Sequence, residues 1–532
     1  MNHLVHHPLQ SNDDGVVLMM LHLHVGDEFL LKSQLGLKKM MEFAVELKME
    51  GRRSVEIGSL LKNEGKLSGK ESLQFRKIQR TSTRVQEEEE DDRPSYSTNR
   101  IKPQKPKNMI PFQSTEATKA GQFVKRLFAF LFYLHLILIA FLIIFLTVYG
   151  LISTDHKHHF HPLKFYPPLL TSTLCSAIFA FIWQWVTRSN PSKAIKTAFW
   201  LSPLLTCAVG VLLISVSSAE SLAAGGVAII CALVQSLYAC WVSPRFEFAI
   251  RLLSVSTAVP PAKITTLLVQ SILISILYLC FLVSGIGGAT AIRSSFNVLF
   301  ISVILLSMAW TMHLIKNMLE VTVSRIKYMH FASGTHVDTS EAFRNTFKHS
   351  MGSICIGSIL VPVLGVIRGS ARGMKLLAGD TEEFLFSCAN CYSGLASTLV
   401  MYGNRWGFVH VGVYNKGFVQ ASSDTWEIFR SVQLKELIDL DLTTSFCFLS
   451  GVAGGAICSL VSGTWTLAIH KSYATEVSIY AFLIGYFMCR IALAWPQACV
   501  SSYYVAYAEN PNSTRFDSTI PVRIEELQRF QA

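Results

Sequence analysis

LFAFLFYLHLILIAFLIIFLTVYGLI, residues 127–152, runs for 26 positions without an Asp, Glu, Lys or Arg. At 1.5 Å per residue it is longer than the roughly 30 Å of hydrocarbon in a bilayer. A helix on a soluble core needs one apolar stripe, and this one is apolar all round. Eight further stretches of this kind follow, at 168–186, 199–216, 222–242, 264–286, 296–315, 350–367, 444–469 and 477–506. The composition agrees: of 532 residues, 51% are hydrophobic and 16% charged, against about 25% charged in soluble domains. Mean hydropathy is +0.38. The chain reads as an all-α, polytopic transmembrane helix bundle, and a soluble enzyme is not expected.

The charges report on orientation. Lys119, Lys125 and Arg126 precede the first span, and basic residues recur in 187–198, 243–263 and 316–349, whereas 217–221 carries only Glu220. Short basic loops face the cytosol, so the N-terminus is expected there and the alternation holds through six spans. Arg368, Arg372 and Lys375 then fall on the wrong side. A weaker segment at 384–402 restores the pattern as a tenth crossing, with a re-entrant segment as its rival. About ten spans leave both termini cytosolic, so the sequon Asn512-Ser513-Thr514 is expected to be silent. The net charge of +11 sits in the tail and short loops, which fits orientation better than a nucleic-acid face.

Three regions result. Residues 1–123 form a largely disordered cytosolic tail, with EEEEDD at 87–92 and scattered prolines. Residues 124–508 form the membrane domain and 509–532 a cytosolic C-terminal tail. Residues 1–31 carry no cleavable signal pattern, so insertion is expected to begin with the first span.

Function must be read from polar and aromatic groups inside the membrane. No Asp or Glu falls well inside these spans; Glu220 and Glu476 sit at their edges. Arg490, shortly before Pro496, is the clear intramembrane charge, read either as a gate or as the cap of a kinked helix. Missing acids argue against a proton relay. They leave room for a quaternary ammonium, which aromatic faces bind at about 0.5–2 kcal/mol per contact. Trp200, Tyr238, Tyr278 and Trp495 are the candidate substrate-binding cage. Gly451 and Gly455, in GVAGGA, allow close helix packing or unwinding around a substrate. The loop HKHHFH (156–161) and the Cys388/Cys391 pair suggest metal, but His135 and His313 have no acidic companions in the spans, so no metal or cofactor is expected. No phosphate-binding loop or catalytic triad is legible, and no enzymatic activity is expected.

The stretch NRWGFVHVGVYNKGFVQASSDTWEIFR (404–430) resembles a signature of the choline transporter-like family in its fungal and plant members. Asn404, Arg405, Trp406, Tyr414, Lys416, Phe418, Ala421, Asp424, Thr425 and Trp426 follow the family's order, with Asn415 where Gly is usual. ACWVSPRFEFAIRLL (239–253), DLTTSFCFLSGVAGGAICSL (441–460) and ACVSSYYVAYAENP (498–511) extend the likeness over about 125–520. Animal members commonly carry Asp near Ser501, and their first outer loop is longer than 153–167. The resemblance implies facilitated, potential-driven transport of choline or a similar small organic cation in the plasma membrane, with an endomembrane as the alternative. The implied partners are that cation and the lipid bilayer, not nucleic acid; no oligomeric state is implied. Rival readings are another cargo (ethanolamine, a lipid, a metal) or a membrane trafficking scaffold. Residues 404–430 are expected at the cytosolic interface as a structural gate, with Arg405 and Lys416 meeting phosphate headgroups.

Overall fold

The structure, a computed structural model, describes residues 119–152, 162–259, 263–290, 296–378, 392, 394, 398–434, 437–438 and 440–531. The tail through residue 118, the His-rich loop 156–161, the Cys388/Cys391 pair and most of 384–402 lie outside the described residues. Among those described there are helices and no strand, and nine helices are long and apolar enough to cross a membrane.

The helices are α1 (Lys119–Ile152), α2 (Pro162–Ser189), α3 (Pro191–Val216), α4 (Ala219–Val242), α5 (Phe246–Thr257), α6 (Ile264–Thr290), α7 (Phe296–Ser333), α8 (Thr339–Asn345), α9 (Met351–Ala378), α10 (Gly407–Tyr414), α11 (Phe418–Ser431), α12 (Thr443–Ile469), α13 (Ala474–Ala492), α14 (Ala494–Glu509) and α15 (Thr519–Gln531). Hydroxyls within the spans mostly return to the helix that carries them. Ser271 donates to the Leu267 carbonyl at 2.9 Å and Ser275 to that of Ser271 at 2.8 Å. This satisfies a polar group where lipid offers no partner.

The chain ends of these helices gather at two poles. At one, Lys125 Nζ donates to the Asn415 carbonyl at 3.0 Å, Lys327 Nζ to that of Val259 at 2.9 Å, and Arg325 to that of Gly412 at 2.9 Å. At the other, Tyr166 donates to the Ser284 carbonyl at 3.2 Å and Ser462 to that of Pro168 at 2.8 Å. The first pole collects Lys and Arg residues, as the basic-loop rule expects of a cytosolic face. Residues 512–514 follow α14 there.

Three boundaries differ from the sequence reading. The segment expected to loop out after 315 remains helical to Ser333, so Lys316, Glu320 and Lys327 are buried side chains of α7 rather than loop charges. This corrects the expectation that carboxylates are absent from the spanning helices. Residues 187–198 form no long loop, since α3 starts at Pro191. The span expected over 477–506 is two helices. Pro496 has no N–H, and its ring clashes with the carbonyl four residues back, at Ala492. There α13 stops, Leu493 turns at φ −93° and ψ 6°, and α14 restarts at Ala494 with Pro496 in its first turn.

Length sorts these helices into two layers. About 20 residues cross the hydrocarbon, and the 19-residue α13 does so. The 38-residue α7 overshoots. Its second half packs on α14, which also packs on α5. α10, α11 and α15 complete an inner layer beneath the spans.

Candidate functional site

The inner layer is held by buried ion pairs. Arg405 Nη2 meets Asp441 Oδ2 at 2.8 Å, with side-chain exposures of 14% and 2%, and its guanidinium lies 4.0 Å from the centre of the Trp406 ring. Asp441 Oδ1 accepts from the Thr443 amide at 3.2 Å and its hydroxyl at 2.8 Å. Lys416 Nζ pairs with Asp424 at 2.6 Å. His410 Nε2 lies 2.8 Å from Glu509 Oε1, and the Tyr328 and Tyr414 hydroxyls also bond that carboxylate. Arg405 and Lys416 therefore face carboxylates inside the protein, not the lipid phosphates expected from sequence. Both lie under helices that bury them, and a charge so placed needs a fixed partner.

Asn404 joins the two short helices. Its Nδ2 donates to the Ser422 carbonyl at 2.8 Å, and its Oδ1 accepts from the Gly407 amide at 3.2 Å. Trp406 is edge-on to both Phe429 and Tyr504. Asn415 ends α10 in the left-handed region at φ 54°. That explains why a glycine position accepts Asn, the side chain that best tolerates this conformation.

Glu509 carries the clearest titration consequence in this layer. Burial pushes its carboxyl up, but the bond and charge of His410 and the two tyrosine hydroxyls outweigh that and hold it below the usual carboxylate range. Burial, with the Glu509 charge beside it, pushes Tyr414 up to about 12. A carboxyl depressed on folding stabilises at pH values above its unfolded pKa and loses that contribution as pH falls through its folded one. Thermal stability of the purified protein is accordingly expected to drop on acidification below about pH 4. In Glu509→Gln that drop should be visibly shallower; identical acid profiles would contradict the assignment.

The second feature lies where α7 passes the α13–α14 break. Lys316 Nζ meets Glu320 Oε2 at 2.7 Å and Asn317 Oδ1 at 3.2 Å, and Asn317 donates to Ser358 at 2.9 Å. Glu320 Oε1, Gln497 Oε1, Ser501 Oγ, Tyr504 Oη and Arg405 Nη1 are buried without a hydrogen-bond partner among the described residues. Such atoms are costly to bury unmatched. Arg490 ends α13, where a cation suits the helix dipole. Its shaft lies where a side chain on Gly451 would stand, and it acts electrostatically on Lys316.

The proposed cage residues lie apart, and none is in ring contact with another. Trp200 is half exposed on the outer surface of α3. Tyr238 stacks on Phe199 and its hydroxyl meets Ser445 at 2.9 Å. Tyr278 bonds Ser307 Oγ at 2.7 Å and Thr311 at 3.1 Å. Trp495 packs with Leu319 and Val323 in a separate apolar cluster. Gly451 and Gly455 lie in the unbroken α12; Gly455 lets the Phe482 carbonyl approach. Sequence reasoning passed over Lys316, Glu320, His410 and Gln497. The one available signal was the i, i+4 spacing of Lys316 and Glu320, which reads as a solvated helix face.

A bundle with nine membrane-length helices among the described residues, over a charged inner layer, is a multi-pass membrane protein. The sequence profile of the family described as plasma-membrane choline transporter matches residues 226–512, more than half of the chain. The chain belongs to that family. It is 27% identical over 242 residues to a PNS1 protein of Mycosarcoma maydis, covering 42% of this chain and 46% of that one. It is 22% identical over 241 residues to the pns1 protein of Aspergillus fumigatus, covering 42% and 44%. A CTL-like protein of Dictyostelium discoideum is 23% identical over 285 residues, half of each chain. The chain thus spans about half the length of the curated relatives it matches.

Proposed function

We propose that this protein carries choline or a closely related organic cation across the plasma membrane by facilitated movement, with residues 404–430 acting as its inner gate. The observation that supports this best is the closed basic pole. Ion pairs there join segments distant in sequence, Arg405 to Asp441 and His410 to Glu509, beside buried polar atoms that lack partners. A transporter needs such a closure to open on one side at a time. The family membership supports a small organic cation as the substrate class. An inside-negative potential pulls a monovalent cation inward, so the reading requires no coupling ion.

The test is uptake of radiolabelled choline in cells lacking their own choline transporters, with and without unlabelled ethanolamine. Saturable uptake above control supports the reading, uptake abolished by equimolar ethanolamine would move the substrate to that amine, and no saturable uptake would defeat the proposal.

The gate reading has its own consequence. Arg405→Gln removes one member of a buried pair, which typically costs 3–5 kcal/mol. It should lower the melting temperature and change the transport rate while leaving the order of preferred substrates unchanged. Arg405→Lys should recover only part of the loss, because an ammonium lacks the planar fork that both stacks on Trp406 and reaches Asp441. An altered substrate order in either variant would remove Arg405 from the gate and place it in the binding site.

A further inference from the structure

The chain enters α9 through a turn that carries its charge on the outside. α8 passes without a break through a π-helical turn, Thr346–Ser350, into α9. Such turns are uncommon and recur at functional sites. Ala342, Thr346 and Ser350 are buried at one-turn spacing. Arg344 and Lys348 lie between them and are exposed, and the Phe347 ring beside Lys348 is 47% exposed. An open aromatic ring beside two cations is the composition of a helix at a membrane surface. Among the described residues neither Arg344 nor Lys348 forms an ion pair.

α1 gives the depth of this turn. A Cβ on Gly352 would stand 2.0 Å from the Lys125 carbonyl oxygen, so the backbones of α1 and α9 meet there. Lys125 and Arg126 immediately precede the uncharged run 127–152 and so mark the level of the lipid headgroups. Lys348 stands one turn before Gly352 and Arg344 one turn further back, on the basic side. Glu341 is the one acid between Thr339 and Ser350, and it lies furthest from the bilayer of the three charges. The buried side of the same turn is tied to the α10–α11 junction. Asn345 Nδ2 donates to Asn415 Oδ1 at 3.3 Å, and Ser350 Oγ lies 3.4 Å from that oxygen. Lys125 Nζ holds the Asn415 carbonyl from the α1 side at 3.0 Å.

We propose that Arg344 and Lys348, with Phe347 set into the acyl boundary, bind the headgroup of an anionic lipid in the leaflet at the basic pole, and that the bound lipid braces the α10–α11 junction through Asn345 and Asn415. Lys348, nearer the hydrocarbon, meets the phosphate. Arg344, a turn further out, meets a second anionic group projecting beyond it, which its planar fork can bind in bidentate fashion. A zwitterionic lipid offers the phosphate alone and repels Arg344 with its ammonium. Anionic lipids are concentrated in the cytoplasmic leaflet, where basic residues next to a span attract them. Fixing Arg344 and Lys348 on the outside fixes Asn345 and Ser350, which alternate with them and hold Asn415 on the inside.

The experiment titrates phosphatidylserine against the detergent-solubilised full chain and reads bound lipid by native mass spectrometry, with phosphatidylcholine and inorganic phosphate as the other probes. A basic residue at such a surface is worth about fivefold in binding. Arg344→Gln and Lys348→Gln should each weaken phosphatidylserine by about that factor, and the double variant by about twenty-five-fold. Lys193→Gln/Lys196→Gln removes equal charge from exposed positions at the start of α3 and should leave binding unchanged. Equal loss in that control would reduce the site to bulk charge. Phosphatidylcholine or inorganic phosphate binding as tightly as phosphatidylserine would remove the anionic lipid from it. Either result overturns the proposal. Hydrogen exchange across residues 411–418 reads the brace: phosphatidylserine should slow it in the wild type and not in Arg344→Gln/Lys348→Gln. No slowing in the wild type, or the same slowing in both, overturns the brace. Neither readout requires transport, so their failure is distinct from failure of the carrier reading.

Discussion

Gly485→Val is expected to yield little folded protein. α12 and α13 approach so closely that a Cβ on Gly485 would stand 2.5 Å from the Gly454 carbonyl oxygen and 2.7 Å from Cys458 Sγ. A Cβ on Gly454 would meet Cys489 Sγ at 2.2 Å, and one on Gly455 the Phe482 carbonyl at 2.7 Å. Two of these obstacles are backbone oxygens, which cannot rotate aside. Overpacking a tight core costs about 1–3 kcal/mol when side chains can yield. Here the helices themselves must part, and the loss should exceed that range. Gly226→Ala is the control, since nothing lies within 4 Å of a Cβ there, and replacing a helical glycine gains up to about 1 kcal/mol. Detergent-solubilised yield and melting temperature provide the measurement. A Gly485→Val protein melting like the wild type would show that the helices are not packed as described.

Choline accumulation should follow the membrane potential steeply. Moving one charge through 100 mV is worth about 2.3 kcal/mol, which corresponds to a roughly fifty-fold change in the equilibrium concentration ratio. Clamping vesicles at 0 instead of −100 mV with potassium and valinomycin should lower the limiting ratio of inside to outside choline by that factor. Accumulation indifferent to potential but responsive to an imposed ion gradient would establish coupling and defeat the facilitated mechanism. The electrical prediction depends only on one net charge crossing with each substrate. It therefore tests the transport reading without depending on any one residue.

The apolar runs were legible because lipid imposes a simple demand: each spanning helix must be apolar over its length and satisfy its own backbone. Residues 127–152 and 264–286 fall within observed helices, α1 and α6. Charge asymmetry between loops marked the pole where Lys125, Arg325 and Lys327 meet. The same hydropathy reasoning failed at residue 315, because it treats any charge as a wish for water. Lys316 and Glu320 answer one another four residues apart and are buried. Arg405 and Lys416 were read as meeting lipid headgroups for the same reason, although they had partners waiting at Asp441 and Asp424.

The amino-acid sequence alone determined an all-helical membrane bundle and its family, since these follow from composition, spacing and short-range pattern. Only the tertiary structure decided which charges lie inside. It set Glu320 beside Lys316 at the α13–α14 break, scattered Trp200, Tyr238, Tyr278 and Trp495 among separate neighbours, and closed the inner pole through Arg405 and His410. The physical reason is that a buried ion pair and a solvated one have the same letters; they differ in what the rest of the chain packs over them.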